Sequence, residues 1–277
     1  MTNEATRALR LEVLPEQVDI LVAELCELGF EGFAEDRERL LAYVPESIWI
    51  GTTREDALAV LVRLGARIED ELTVQPENWN AKWEMSIEPV IAGPFCVYPP
   101  WREALPGSIG IVIEPKMSFG TGHHETTRLM LSFVARLVRP GCTVLDAGTG
   151  TGVLAIAAVA CGAQTVHAFD VDRCSVENTI ENLTANRAAD RVEVFLGGIE
   201  VAPLGPYDVV LANINRNVLL DMLPGFRVRL GPGGHLALAG VLFSDREVML
   251  SALAENGFIN VGEEREGDWL ALLAARS

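Results

Sequence analysis

The chain has 277 residues, 49% of them apolar and 22% charged, with a formal net charge of −17. That balance rules against a disordered polymer and describes one large globular domain, or a large one with a small companion. The acidity argues against a general grip on nucleic-acid phosphates; it suits a basic partner or a solvated acidic surface.

No apolar run reaches the roughly 20 residues that span a bilayer. Met1-Thr2-Asn3-Glu4 lacks the basic-then-apolar pattern of a secretory signal. The cysteines Cys26, Cys96, Cys142, Cys161 and Cys174 are odd in number and form no CxxC pair. Reduced thiols in a cytoplasmic chain account for them.

Ala8-Leu9-Arg10-Leu11-Glu12-Val13 alternates in polarity and predicts a strand. Val18, Leu21, Val22, Leu25 and Leu28 then fall at helical spacing, with Gly29 as a stop. Strands are expected over 30–33 and 40–44, a helix over 54–64 closed by Gly65, and a strand over 67–74. The order strand–helix–strand–strand–helix–strand is the split βαβ, ferredoxin-like arrangement. A small α+β domain is accordingly set at residues 1–70. A linker helix is expected over 71–85, its Trp79 and Trp83 four residues apart on one docking face.

From 87 to 113, short apolar runs broken by Pro89, Gly93-Pro94, Pro99-Pro100 and Pro106-Gly107 predict a small hairpin-rich lead-in. Helices over 126–138, 152–161, 173–186, 216–229 and 244–256 then alternate with strands over 143–146, 165–169, 191–195, 207–212 and 235–238, and strands end the chain. Such alternation demands a mostly parallel sheet with helices on both faces. Residues 86–277 therefore read as a doubly wound, Rossmann-like α/β domain.

Val144-Leu145-Asp146-Ala147-Gly148-Thr149-Gly150-Thr151-Gly152 is an apolar run entering alternate glycines, followed at once by an apolar helix. Strand, glycine turn and helix in that order open a nucleotide-type cofactor site. Gly148 and Gly150 are the positions where backbone must turn with positive φ or approach a ligand closely. A pyrophosphate usually takes G-x-G-x-x-G and a helix N-terminus; here the spacing is G-x-G-x-G and Asp146 stands just before it. A carboxylate there repels pyrophosphate and suits a cationic ligand such as S-adenosylmethionine, with its ammonium and sulfonium. The other reading of Asp146, a structural acceptor for the amides of the turn, stays open. Asp170 ends the next strand, 24 positions beyond Asp146, where an acidic residue grips ribose hydroxyls. Asp172 is read as a helix cap.

Ser118-Phe119-Gly120-Thr121-Gly122-His123-His124-Glu125-Thr126-Thr127 is a second glycine loop opening a helix. Thr126 or Thr127 can cap that helix or offer a hydroxyl to the cofactor. Adjacent histidine side chains diverge and no third ligand is spaced for a metal, so no metal is expected. His123 or His124 instead serves as a base or polar contact. Asn213, at the end of the strand Leu211-Ala212-Asn213, projects an amide into the cleft to accept from an amine, or else caps the helix that follows.

Together, Phe119 to Thr127, Asp146 to Gly152, Asp170-Val171-Asp172 and Ala212-Asn213-Ile214 resemble the ribosomal protein L11 methyltransferases, S-adenosylmethionine-dependent enzymes of the class I fold. The tryptophans at 79 and 83 and Pro99-Pro100-Trp101 extend that resemblance, which runs from about residue 8 to the end. It implies cofactor contacts at Thr127, Gly148, Asp170 and Asn213, a substrate-recognition role for residues 1–70, and transfer to lysine or N-terminal amines of a basic ribosomal protein. No nucleic acid or membrane partner and no metal are implied, and a monomer is expected. The turn reads Gly-Thr-Gly-Thr-Gly where many relatives have Gly-Cys-Gly-Ser-Gly. A methyltransferase acting on lysines of another protein and a nicotinamide-dependent oxidoreductase remain as alternatives.

Overall fold

The computed structural model describes residues 5–36, 39–51, 53–74, 87–116 and 119–276. Contacts divide the chain into two compact units, Met1–Trp83 and Glu84–Ser277.

In the first unit, β1 (Thr6–Glu12) leads to α1 (Val18–Glu27), then β2 (Gly32–Asp36) and β3 (Arg39–Pro45). A short α2 (Glu46–Trp49), α3 (Thr53–Arg63) and β4 (Arg67–Val74) complete it. The strand order is β2-β3-β1-β4, antiparallel at each pairing, so the split βαβ expectation holds. Strand alternation turns Leu9, Leu11, Leu40, Ala42 and Val44 to one face, where they bury against Leu21 and Leu25 of α1 and Ala57 and Leu61 of α3. The sequence pattern does not announce α2. It contributes buried Trp49, whose indole meets Phe30 edge-on at 6.1 Å and donates to Glu71 Oε1 at 2.8 Å. Residues 71–74 continue β4; the rest of the expected linker helix, 75–85, lies outside the described residues.

The second unit opens with β5 (Val90–Ala92), β6 (Phe95–Tyr98) and β7 (Ile109–Val112). β5 and β6 form the expected hairpin, but β7 runs parallel to β6, so residues 99–108 cross over instead of turning back. Next come α4 (Glu125–Leu137), β8 (Thr143–Ala147), α5 (Val153–Ala160), β9 (Thr165–Asp170), α6 (Arg173–Ala185) and β10 (Val192–Leu196). The chain then enters β11 (Tyr207–Asn213), α7 (Arg216–Arg229), β12 (Leu230–Leu242), α8 (Arg246–Glu255), β13 (Phe258–Glu266) and β14 (Trp269–Arg276).

The large sheet has the order β10-β9-β8-β11-β12-β14-β13. Its first five strands are parallel, β14 is antiparallel to β12, and β13 is antiparallel to β14. The alternation of buried side chains feeds two cores. Val144, Val166, Val209 and Leu211 pack with α4 and α5, and Leu145, Phe169, Val210 and Ala212 pack with α7 and α8. Strand order reverses at β8, whose neighbours are β9 and β11. That switch point opens a crevice beyond the strands' carboxyl ends. Among the described residues, no helix is long and apolar enough to cross a membrane.

Candidate functional site

The carboxyl ends of β8, β9 and β11 meet at a cleft of about 360 Å³, within the range of small-ligand sites. Gly148, Thr149, Gly150, Asp170, Ser175, Asn213 and Ile214 line it, together with Phe119, His124, Gly240 and Trp269.

The glycine turn is shaped from both sides. Gly148 and Gly150 have φ of +71° and +57°. A Cβ on Gly148 would stand 2.2 Å from Ile214 Cγ2, and one on Gly150 would stand 2.3 Å from the Phe119 carbonyl oxygen. That carbonyl accepts from the Thr151 amide at 3.0 Å, so the loop before α4 is bonded directly to the turn. Beneath, Thr179 of α6 donates to the Gly150 carbonyl at 2.8 Å, and Asn182 Nδ2 donates to the Thr151 carbonyl at 2.9 Å. Asn182 Oδ1 also accepts from Glu114 N, fastening the lead-in to the same turn. These polar α6 residues carried no signal in the sequence beyond being misplaced on a buried helix face.

Asp170 accepts from Gly150 N through Oδ2 and from Asp172 N through Oδ1, each at 3.0 Å. Its carboxylate is thereby fixed on the cleft wall, each oxygen keeping acceptor capacity. Asp172 caps α6 as expected, accepting from Cys174 N and Ser175 N.

Asp146 points elsewhere. Strand alternation places it on the α5 face, 1% exposed and off the cleft wall. It accepts from the Thr149 hydroxyl at 2.8 Å and from the Ala155 amide. Burial pushes its carboxyl up to about 7, the Thr149 and Ala155 bonds opposing and the nearby Asp170 charge adding to the rise. The amides of the turn itself bond elsewhere, to the carbonyls of Phe169, Phe119 and Thr149 and to Asp170, so Asp146 serves a turn hydroxyl and α5 and not those amides.

Asn213 faces α4, and its Nδ2 reaches Thr127 Oγ1 at 3.5 Å. Its Oδ1 is buried and has no hydrogen-bond partner. The cap of α7 is Asn215, accepting from Val218 N, so Asn213 is not spent on that duty. Thr127 is itself fully buried behind the wall.

The two histidines separate. His124 caps α4, its Nδ1 accepting from Thr126 N at 3.2 Å, and its ring lines the cleft. His123, the sequence candidate for catalysis, is exposed and off the cleft wall; its carbonyl is held by Arg128. Trp269, which no motif in the sequence singled out, arrives on the wall from the β13–β14 hairpin. Among the described residues, no cluster of three or more histidine, cysteine or carboxylate side chains is placed to hold a metal.

Residues 16–277 match the family described as ribosomal protein L11 methyltransferase (PrmA). The chain belongs to that family. It is 38% identical to the ribosomal protein L11 methyltransferase of Chlorobaculum tepidum, covering 96% of this chain and 94% of the relative. It is 40% identical to that of Thermus thermophilus over 73% and 79% of the two chains. A crystal structure of the ribosomal protein L11 methylase from Lactobacillus delbrueckii subsp. bulgaricus superposes with a TM-score of 0.64 at 29% identity, over 69% of this chain and 99% of that one. The mixed sheet is thus that of a class I methyltransferase, a family whose methyl donor is S-adenosylmethionine. The cleft fits such a donor: bare backbone at Gly148 and Gly150, a fixed carboxylate at Asp170 and the residue Asn213 line it, and the Asn213 amide oxygen is buried without a partner.

Proposed function

We propose that the cleft transfers methyl groups from S-adenosylmethionine to amino groups of ribosomal protein L11 (lysine ε-amines, the N-terminal α-amine, or both), in a cytoplasmic monomer. Relatives that carry that activity in their names along most of their length support the substrate. The observation that carries the chemistry is Asn213 Oδ1, a buried acceptor without a partner on a glycine-framed cleft.

When bound, S-adenosylmethionine supplies an electrophilic methyl group on a sulfonium. Asp170 would accept from its ribose hydroxyls, and Gly148 and Gly150 would let backbone approach where a side chain does not fit. Thr127 steadies the Asn213 amide. Asp146 acts from beneath, holding the turn to α5 through Thr149 and Ala155. Residues 1–70, within the first unit, take the role of substrate recognition, and the net charge of −17 steers a basic protein toward the enzyme.

The nucleophile must be neutral. At pH 7 that costs roughly 4.6 kcal/mol for a lysine with pKa near 10.4, and about 1.4 kcal/mol for an α-amine near 8. Burial in the cleft and a neighbouring positive charge lower the amine's pKa and reduce this cost. Asn213 Oδ1 accepts one N–H and so aims the lone pair. A donor held there would supply the methyl carbon to that lone pair and retain the electron pair of its own broken S–CH3 bond on sulfur, and the surplus proton of the product ammonium would pass to solvent. His124 Nδ1 is occupied by the Thr126 amide, and His123 lies off the wall, so positioning and not a dedicated base supplies the rate.

The test is incubation with labelled S-adenosylmethionine and a panel of purified ribosomal proteins, with products located by mass spectrometry. Label on amines of ribosomal protein L11 is expected; its absence there refutes the reading. Asn213→Ala should lower turnover on the order of 10²-fold with the fold intact, and near-normal turnover removes its role.

A further inference from the structure

Three aromatic rings converge on one side of the cleft: Phe119 before α4, His124 at its cap, and Trp269 at the start of β14. The His124 ring centroid lies 5.1 Å from that of Phe119 and 4.7 Å from that of Trp269, both tilted edge-to-face. The hairpin that carries Trp269 is braced from two directions. Arg128 of α4 donates through Nε to Glu266 Oε1 at 2.9 Å while also holding the His123 carbonyl. On the other side, Phe243 N donates to the Asp268 carbonyl at 2.8 Å, and Arg265 stacks 4.0 Å over the Phe243 ring. A hairpin tip fixed in this way holds its tryptophan in place, whereas Phe119 is 51% exposed at the mouth.

The charge on the wall is equally one-sided. Among the described lining residues Asp170 is the one carboxylate, and it belongs to the glycine-turn side. Glu125 Oε2 stands 3.8 Å from His124 Nδ1, but among the described residues no carboxylate beside the three rings lines the cleft itself. A carboxylate there would favour the ammonium form and oppose a neutral nucleophile. Aromatic faces attract an ammonium more weakly and also accept the apolar stem of a lysine side chain. An N-terminal α-amine has no such stem.

We propose that Trp269, with His124 and Phe119, forms the wall along which an acceptor lysine side chain lies, and that Trp269 sets the preference for lysine over α-amino acceptors. The inference rests on the amine methylation proposed above and adds which acceptor uses this wall. Trp269 touches the substrate's stem, while Arg128 and Glu266 are positioning residues that act through it.

The experiment compares the full-length enzyme with Trp269→Ala, Trp269→Phe and Phe119→Ala on ribosomal protein L11. Lysine and N-terminal products are quantified separately by mass spectrometry, and cofactor affinity is measured by calorimetry. Trp269→Ala should raise KM for lysine transfer about tenfold, several-fold more than for N-terminal transfer, with cofactor affinity changed by less than either. Trp269→Phe should restore most of the loss. Phe119→Ala, at an exposed side chain, should move lysine KM in the same direction by less, so a folding defect in the tryptophan variant does not shield the idea. An unchanged lysine KM in both alanine variants overturns it. So does an equal loss on both acceptors, or weakened cofactor binding, which would make Trp269 a wall of the cofactor site. A wild-type enzyme that methylates only the N-terminus overturns this inference and leaves the proposed activity standing; one that methylates no amine removes that activity itself.

Discussion

Replacing Gly150 with alanine tests how tightly the turn frames the cleft. The new Cβ would lie 2.3 Å from the Phe119 carbonyl oxygen, so that carbonyl must retreat by roughly an ångström to restore ordinary packing. The same oxygen holds Thr151 N at 3.0 Å, and Gly150 N holds Asp170 Oδ2 at 3.0 Å. A left-handed alanine costs about 1–2 kcal/mol, and two weakened hydrogen bonds add about 2 kcal/mol. Gly141 provides the control: its φ is +90°, yet a Cβ there meets nothing within 4 Å, so Gly141→Ala should cost only the strain of about 1–2 kcal/mol. Urea denaturation should therefore find Gly150→Ala about 2 kcal/mol less stable than Gly141→Ala. Calorimetry should find cofactor affinity lowered in the first variant alone. Equal destabilisation with unchanged affinity in both would refute the view that the Phe119 carbonyl and Asp170 are set through Gly150.

Asp170→Ala should weaken S-adenosylmethionine binding on the order of 10²-fold, since hydrogen bonds to a charged group contribute about 1.5–3 kcal/mol each; unchanged affinity in calorimetry would remove the ribose assignment. Asp146 predicts a pH effect with a definite sign. Its carboxyl is raised to about 7 in the folded protein against about 3.9 unfolded, so its contribution is fully present below about pH 4 and is lost as pH rises through about 7. Asp146→Asn, neutral throughout and still able to accept from Thr149, should gain on the wild type as pH rises, by up to about 4 kcal/mol near pH 8. A stability difference that stays constant with pH in urea titrations would contradict this. Association with ribosomal protein L11, followed by stopped flow, should slow as salt is added because the chain is strongly acidic; a flat salt response would count against steering.

Local pattern carried most of the fold. The strand expected over 67–74 is β4, and helices expected over 173–186 and 216–229 appear at Arg173–Ala185 and Arg216–Arg229. Each depends on side-chain periodicity and on stops within a few residues, which neighbours along the chain determine. Asp170 and Asn213 were readable for a related reason, because residues at the carboxyl ends of parallel strands face the crevice. What the pattern left open depends on partners distant in sequence. Asp146 turns to the α5 face because strand alternation meets a helix there. His124 and not His123 enters the cleft because the cap of α4 claims its Nδ1. β7 lies parallel to β6, and Asn182 ties Glu114 to Thr151, through contacts that no spacing encodes. Trp269 reaches the same wall as Phe119 only because β14 returns antiparallel beside β12 and Arg128 bonds Glu266 across the sheet edge. The sequence by itself determined the elements and the strand ends that line the cleft. The tertiary structure decided which side chains face each other, because sheet order and helix placement bring together residues more than a hundred positions apart.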